Sequence, residues 1–198
     1  MPATIFTKLQ NTAAKNFKNT NSTDARDWFR QTAKRVRRAN PAELLRGSDM
    51  TSTPQPGRMY LFKYNPKHKG TLPYWDQFPL IFMLDAKGGT FGGLNLHYIP
   101  PVLRARLMDA LYDYSVNISA NDKSTAIAIT YNILKSTARL KAYKPTFKLY
   151  RKDHVQSNFM YIAPDVWNIA MMLPLARFQK QSINTVYKDS RSEIDGNR

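Results

Sequence analysis

Residues able to do acid–base, nucleophilic or metal chemistry are sparse in this sequence and poorly placed for it. There is no cysteine, so no thiol nucleophile, thiolate metal site or disulfide is available, which suits a reducing compartment. The three histidines, His68, His97 and His154, stand far apart, and none has a partner at metal-ligand spacing. Gly88-Gly89 and Gly92-Gly93 lack the flanking residues of a phosphate-cradling loop, and no Gly-x-Ser-x-Gly elbow occurs. His97 alternates with apolar neighbours in Leu94-Asn95-Leu96-His97-Tyr98 and reads as a half-buried strand histidine satisfied by a hydrogen bond. Asp76, the lone acid of an aromatic loop, reads as a turn cap rather than a base. Asp109 and Asp113 share one helix face beside Arg106 as solvated charges. The expectation is a chain that is not an enzyme and that carries no metal or cofactor.

The chemistry that the sequence does offer is charge. It holds 30 Lys plus Arg against 14 Asp plus Glu, a net charge of +16, which a partner must neutralise or the fold must tolerate as self-repulsion. The excess lies on the flanks: residues 1–50 carry ten basic and four acidic groups, and 101–150 eight and three, against five and two in 51–100. One basic cluster is Arg30, Lys34, Arg35, Arg37 and Arg38. A second runs from Lys135 to Lys152 without an acid and includes Arg139, Lys141, Lys144, Lys148 and Arg151, interleaved with Tyr143, Phe147 and Tyr150. Arg104 and Arg106 lie close in sequence to His97 and Tyr98. Basic residues interleaved with aromatics suit a polyanion surface. A solvated face is the plainer reading of any Lys/Arg run, but a net charge this large makes solvation alone the weaker explanation.

These residues must be carried by elements whose signals are strongest in the middle of the chain. Met59 to Tyr64 puts aromatics at every second position, as a strand with two differently loaded faces would. Leu80 to Leu84 is a continuous apolar run, short enough for a strand buried on both faces. Gly88-Gly89 marks a hairpin-type connection, and the paired glycines of Phe91–Ile99 mark a bulge or sharp bend. The predicted fold is α+β: residues 57–100 form a small SH3-like antiparallel β-barrel, flanked by basic N-terminal and C-terminal helices. Its core includes Met59, Leu61, Leu80, Phe82, Leu94 and Leu96.

Around that core the punctuation is local. Ser22 or Thr23 caps a basic helix carrying Trp28, Phe29, Ala33 and Val36 near one face. Asn40, Pro41 and Glu43 open a second helix. Pro101 starts a helix with Leu103, Leu107, Ala110, Leu111 and Tyr114 at helical spacing. A further helical stripe runs through Ile127, Tyr131, Leu134 and Ala138. Phe147–Tyr150 and Phe159–Ile162 are expected to pair as a hairpin, followed by a short buried helix from Pro164 that Pro174 ends. The predicted organisation is a flexible basic arm (1–21), a basic helical extension and linker (22–56), the barrel with packed helices (57–179) and a polar tail (180–198). No apolar stretch of 18 residues occurs, so no membrane span is expected.

Three stretches carry a family resemblance. Gly57-Arg58-Met59-Tyr60-Leu61-Phe62-Lys63-Tyr64, Leu72-Pro73-Tyr74-Trp75-Asp76-Gln77-Phe78-Pro79-Leu80, and Gly93-Leu94-Asn95-Leu96-His97-Tyr98-Ile99-Pro100-Pro101 with Leu103-Arg104-Ala105 resemble a structural protein of T4-like contractile-tailed phages. The class it resembles is the head-completion or DNA end-protector class, with a baseplate hub or wedge subunit as the alternative. The first implies a virion protein that meets packaged double-stranded DNA through phosphate contacts; the second implies basic arms docked on acidic neighbouring subunits. Either implies assembly in the host cytoplasm and several copies in a symmetric particle. No functional residue follows from the resemblance itself.

Overall fold

A computed structural model of the chain describes residues 5–18, 22–36, 39–47, 50–115, 132–136 and 140–196. The alternation in β2 (Met59–Leu61) sorts its side chains as the spacing requires. Met59 and Leu61 enter one hydrophobic cluster, while Tyr60, Phe62 and Tyr64 enter another on the opposite face of the sheet. Beside β2 runs β4 (Leu80–Lys87), whose first five residues are all buried because both faces are covered at that end. Next comes β5 (Thr90–Asn95), joined to β4 by the Gly88-Gly89 turn, in which Gly88 has a φ of 57°.

The register of β4 on β5 shifts between Met83 and Asp85. Leu84 is therefore the extra residue, and the bulge expected from Gly92-Gly93 sits on the partner strand, opposite the glycines. The glycines make the close approach possible. A Cβ on Gly93 would stand 2.9 Å from the Phe82 carbonyl oxygen, and one on Gly92 would stand 2.8 Å from Asp85 Oδ1.

With β1 (Met50–Thr51), β6 (Phe147–Arg151) and β7 (Phe159–Ile162), these strands form a six-stranded sheet in the order β1-β7-β2-β4-β5-β6, every pair antiparallel. The sheet curls around a knot of rings, with Phe62 5.6 Å from Phe91 and 4.9 Å from Phe159, and Phe91 stacked on Tyr150 at 5.2 Å. It does not close: β1 and β6 are its edges, so the expected SH3-like barrel is replaced by a strongly curved open sheet. The expected hairpin is also corrected. β6 pairs with β5 at one edge and β7 lies between β1 and β2, joined to β6 by a 3₁₀ turn at Lys152–His154. A second ladder of two short strands, β3 (Trp75–Asp76) and β8 (Phe178–Gln179), stands apart from the main sheet.

Helices cover the face that bears Met59, Leu61, Phe82 and Leu94. The central one is α6 (Trp167–Met172), which follows a 3₁₀ turn at Pro164 and is buried from Trp167 to Met171. Trp167 meets Phe82 edge-on at 4.9 Å. Against α6 pack α1 (Ile5–Asn16), α2 (Thr23–Arg35) and α4 (Pro101–Ser115). Ser22 caps α2 and Asn40 caps α3 (Pro41–Leu44), as the sequence indicates. Of the stripe predicted at Ile127–Ala138, residues 132–136 are helical (α5) with Leu134 buried; Ile127, Tyr131 and Ala138 lie outside the described residues.

Two terminal expectations are revised. Within the supposed arm, α1 buries Phe6 and Ala13. Within the supposed polar tail, α7 (Ile183–Asp195) is capped by Ser182, ends at Gly196 with φ 80° and buries Val186 and Ser190. Only a narrow stripe of each helix is apolar, which is why a polar composition conceals a docked element.

All six residues predicted for the core are completely buried. Phe82→Ala removes the ring between Trp167 and the sheet and should cost about 3–5 kcal/mol in chemical denaturation. Val102→Ala, at a side chain 65% exposed, should stay within about 0.5 kcal/mol of the parent.

Candidate nucleic-acid interface

The two groups that resemble an acid–base pair meet, but inside the protein. Asp76 Oδ2 lies 2.6 Å from His97 Nδ1, with the side chains 1% and 0% exposed. Asn95 Nδ2 donates to the same carboxylate oxygen at 3.2 Å and to the Tyr150 hydroxyl at 3.1 Å. The amides of Phe78 and Arg177 donate to Asp76 Oδ1 at 3.1 and 3.3 Å. The bond from Phe78 is the turn cap that the sequence suggested. His97 lies in a 3₁₀ turn, Leu96–Tyr98, just beyond β5 rather than in the strand, and is fully rather than half buried.

Burial alone would raise the Asp76 carboxyl, but His97 and the amide donors hold it below the ordinary carboxylate range. Burial pushes the His97 imidazole down, against the pull of Asp76 and assisted by Arg104 and Arg177. We assign the pair as a carboxylate accepting from a neutral imidazole. With neither side chain reaching solvent, its work is to fasten β3, β5, β6 and the segment before β8 to one another.

The basic residues divide into those consumed by the fold and those that reach its surface. Arg104 is buried: Nε donates to the Ile99 carbonyl at 2.9 Å, Nη1 to that of Met171 at 2.9 Å and Nη2 to the Tyr187 hydroxyl at 2.7 Å. It clamps α4 to α6 and α7 and presents no charge outward, which removes it from the predicted surface set. Arg30 bonds Asp109 at 2.7 Å and Asp27 at 3.1 Å, and Arg26 reaches Asp109 at 3.2 Å, so this part of the basic α2 holds α2 to α4. Asp109, expected to be a solvated charge, is instead the acceptor for both.

Lys148 is half buried and lies 4.2 Å above the Tyr98 ring; burial lowers its pKa, and Glu193 partly restores it. Arg35, Arg106, Lys141, Lys144 and Arg151 are exposed. Arg37, Arg38 and Arg139 lie outside the described residues, as does the side chain of Lys34.

Three of the exposed cations, Lys141, Lys144 and Arg151, lie along β6 and the 3₁₀ turn Lys141–Thr146 that runs into it. Glu193 of α7 approaches Lys144 at 3.9 Å, and Asp153 pairs with Arg151 at 2.6 Å in an exposed bridge, weak tethers that a stronger anion can displace. Lys152 follows, also exposed. Between these cations Phe147 and Leu149 project from the strand 45% and 66% exposed, while Tyr150 on the opposite face is buried. The alternation with Lys148 and Tyr150 is visible in the sequence; which face is uncovered depends on where the helices end.

Two outcomes test the buried pair. Asp76→Ala strands donors from His97, Asn95 and two backbone amides and should cost about 3–5 kcal/mol. Because the folded imidazole resists protonation, the unfolded chain binds the additional proton, so thermal stability should fall as pH drops below about 6.5, the ordinary histidine pKa. It should fall again below about pH 4, where unfolded Asp76 gains a proton that the folded carboxylate resists. His97→Gln should flatten the first step in a pH series of melting curves while lowering the melting temperature throughout.

No curated protein and no solved structure matches the chain. The sequence profile of the Phage T4 terminal DNA protecting protein family matches residues 4–191, nearly the whole length, and favours the end-protector class over the baseplate alternative. The chain thus belongs to the Phage T4 terminal DNA protecting protein family and is a bacteriophage structural protein of the DNA end-protector class.

Proposed function

We propose that this protein binds the ends of packaged double-stranded DNA in the virion, holding them through phosphate contacts rather than base readout. The observation that carries the reading is the exposed cationic stretch formed by Lys141, Lys144, Arg151 and Lys152 on a chain of net charge +16. Arg35 and Arg106 extend the set, with Lys34, Arg37, Arg38 and Arg139 as further members assigned from the sequence. Contacts of this kind need many cations and no groove-reading motif. Protection then follows from occupancy of the end, with no bond made or broken by the protein. Several copies, and contacts with other virion proteins, fit a particle in which the same surface also meets acidic neighbours.

Binding to duplex DNA should be independent of sequence and steeply salt dependent, dropping roughly 10³–10⁵-fold between about 50 and 200 mM salt for about six to ten phosphate contacts. Replacing Lys141, Lys144 and Arg151 together by Ala should shallow the log–log slope by about one unit per lost contact with little change in melting temperature. Arg104→Ala should do the reverse, lowering the melting temperature and sparing the slope. If the chain has no DNA affinity at low salt and the triple substitution blocks incorporation into virions, the cations serve protein assembly and the DNA reading is withdrawn.

A further inference from the structure

Phosphate contacts alone would hold the interior of a duplex as well as its end. What distinguishes an end is the flat apolar face of its last base pair, which the interior never exposes. The sheet carries a counterpart to that face.

On the helix-covered side of the sheet, the strand register aligns Leu94 with Phe147, Gly92 with Leu149 and Thr90 with Arg151. Leu94 is sealed beneath the helices, whereas Phe147 and Leu149 one strand further out are exposed on an edge strand. The lack of a side chain at Gly92 lets its neighbours close over it: a Cβ there would come within 3.5 Å of the Phe147 ring and 2.8 Å of Asp85 Oδ1. The Gly92 amide donates to that carboxylate oxygen at 3.1 Å, which turns one oxygen of Asp85 in towards the strand. Cations stand at both ends of the apolar pair. Lys141 and Lys144 precede it in the 3₁₀ turn, while Arg151, with Lys87 aligned to Thr90 one strand away, lies at the other end of the same face.

An exposed aromatic and an aliphatic side chain set between lysines and Arg151 on an edge strand match a surface that is apolar at its centre and anionic at its rim. Exposed apolar side chains are common singly; here two stand together on one face of an edge strand with cations at both ends, and that combination fits a docking surface. An aromatic ring stacks on bases without regard to sequence, which agrees with the lack of any base-reading element.

Building on the DNA-binding reading above, we propose that Phe147 and Leu149 cap the terminal base pair of duplex DNA, while Lys141, Lys144 and Arg151 hold the last phosphates. The two side chains supply preference for an end, and the cations supply affinity for any duplex.

The test compares the full-length protein on two short DNAs of the same sequence, one with blunt open ends and one closed at both ends by hairpin loops, by fluorescence anisotropy. The open duplex should bind more tightly. Phe147→Ala should reduce its affinity by about fivefold to a hundredfold, the range that loss of one stacked base represents. Affinity for the closed DNA and the melting temperature should not move, and Phe147→Trp should keep the preference. Leu149→Ser, which leaves the ring in place, should weaken the preference in part. Equal affinity of the parent protein for the two DNAs, or a preference that survives Phe147→Ala with Leu149→Ser, overturns the capping proposal and leaves phosphate binding intact. Failure to bind either DNA at low salt overturns both.

Discussion

The buried carboxylate of Asp76 is the constraint on which much of the architecture rests. A charge removed from water costs several kcal/mol unless its lone pairs are filled, and the chain fills them from Phe78 two residues on and from two places distant in sequence, the Asn95–His97 turn and Arg177. Through Asn95 the same network reaches the Tyr150 hydroxyl, which burial keeps protonated far above the ordinary tyrosine range. Tyr150 lies between Leu149 and Arg151, so the strand that displays the exposed apolar pair is anchored from below by the most buried polar cluster described. Position on the outer face of β6 is thus set by hydrogen bonds on its inner face.

Arginine shows a second economy of the same kind. Counting residues along the sequence treats Arg30, Arg104 and Arg106 as equivalent members of a basic flank. Packing separates them: Arg104 saturates two carbonyls and a tyrosine hydroxyl, Arg30 and Arg26 converge on Asp109, and Arg106 points out. Arg177 likewise donates to the carbonyls of Pro174, Ala176 and Ala39. A guanidinium carries several donors in a fixed fork and stays charged when buried, so it can close gaps between carbonyls that an ammonium would leave open. The net charge of the chain therefore overstates the charge that meets a partner, and among the described residues the exposed share is weighted towards lysine.

The sequence made the middle of the molecule legible because its periodicities are local. The two-residue alternation of Met59–Tyr64, the continuous run at Leu80–Leu84, the caps at Ser22 and Asn40 and the helix start at Pro101 each depend on neighbours within a few residues, and the structure has each in place. What failed depends on distance. Whether a curved sheet closes is decided by which edges meet, and the separation of β6 from β7 follows from a chain that crosses to the far side of β2, which no short window records. The helices α1 and α7 look like an arm and a tail in the sequence because each buries only a few small or isolated residues. At the candidate site the residues were legible and their faces were not: Phe147 and Leu149 differ from Leu94 only in lying one strand beyond the helical cover.

The family to which the chain belongs is named for protection of terminal DNA, and we propose that the outer face of β6 with its flanking cations holds the terminus. Hydrogen–deuterium exchange of the full-length protein with and without a short blunt duplex tests this most directly. New protection concentrated in residues 140–152, at a salt concentration where binding is saturated, is the predicted result. Protection centred on α1 and α2 with 140–152 unchanged would contradict it.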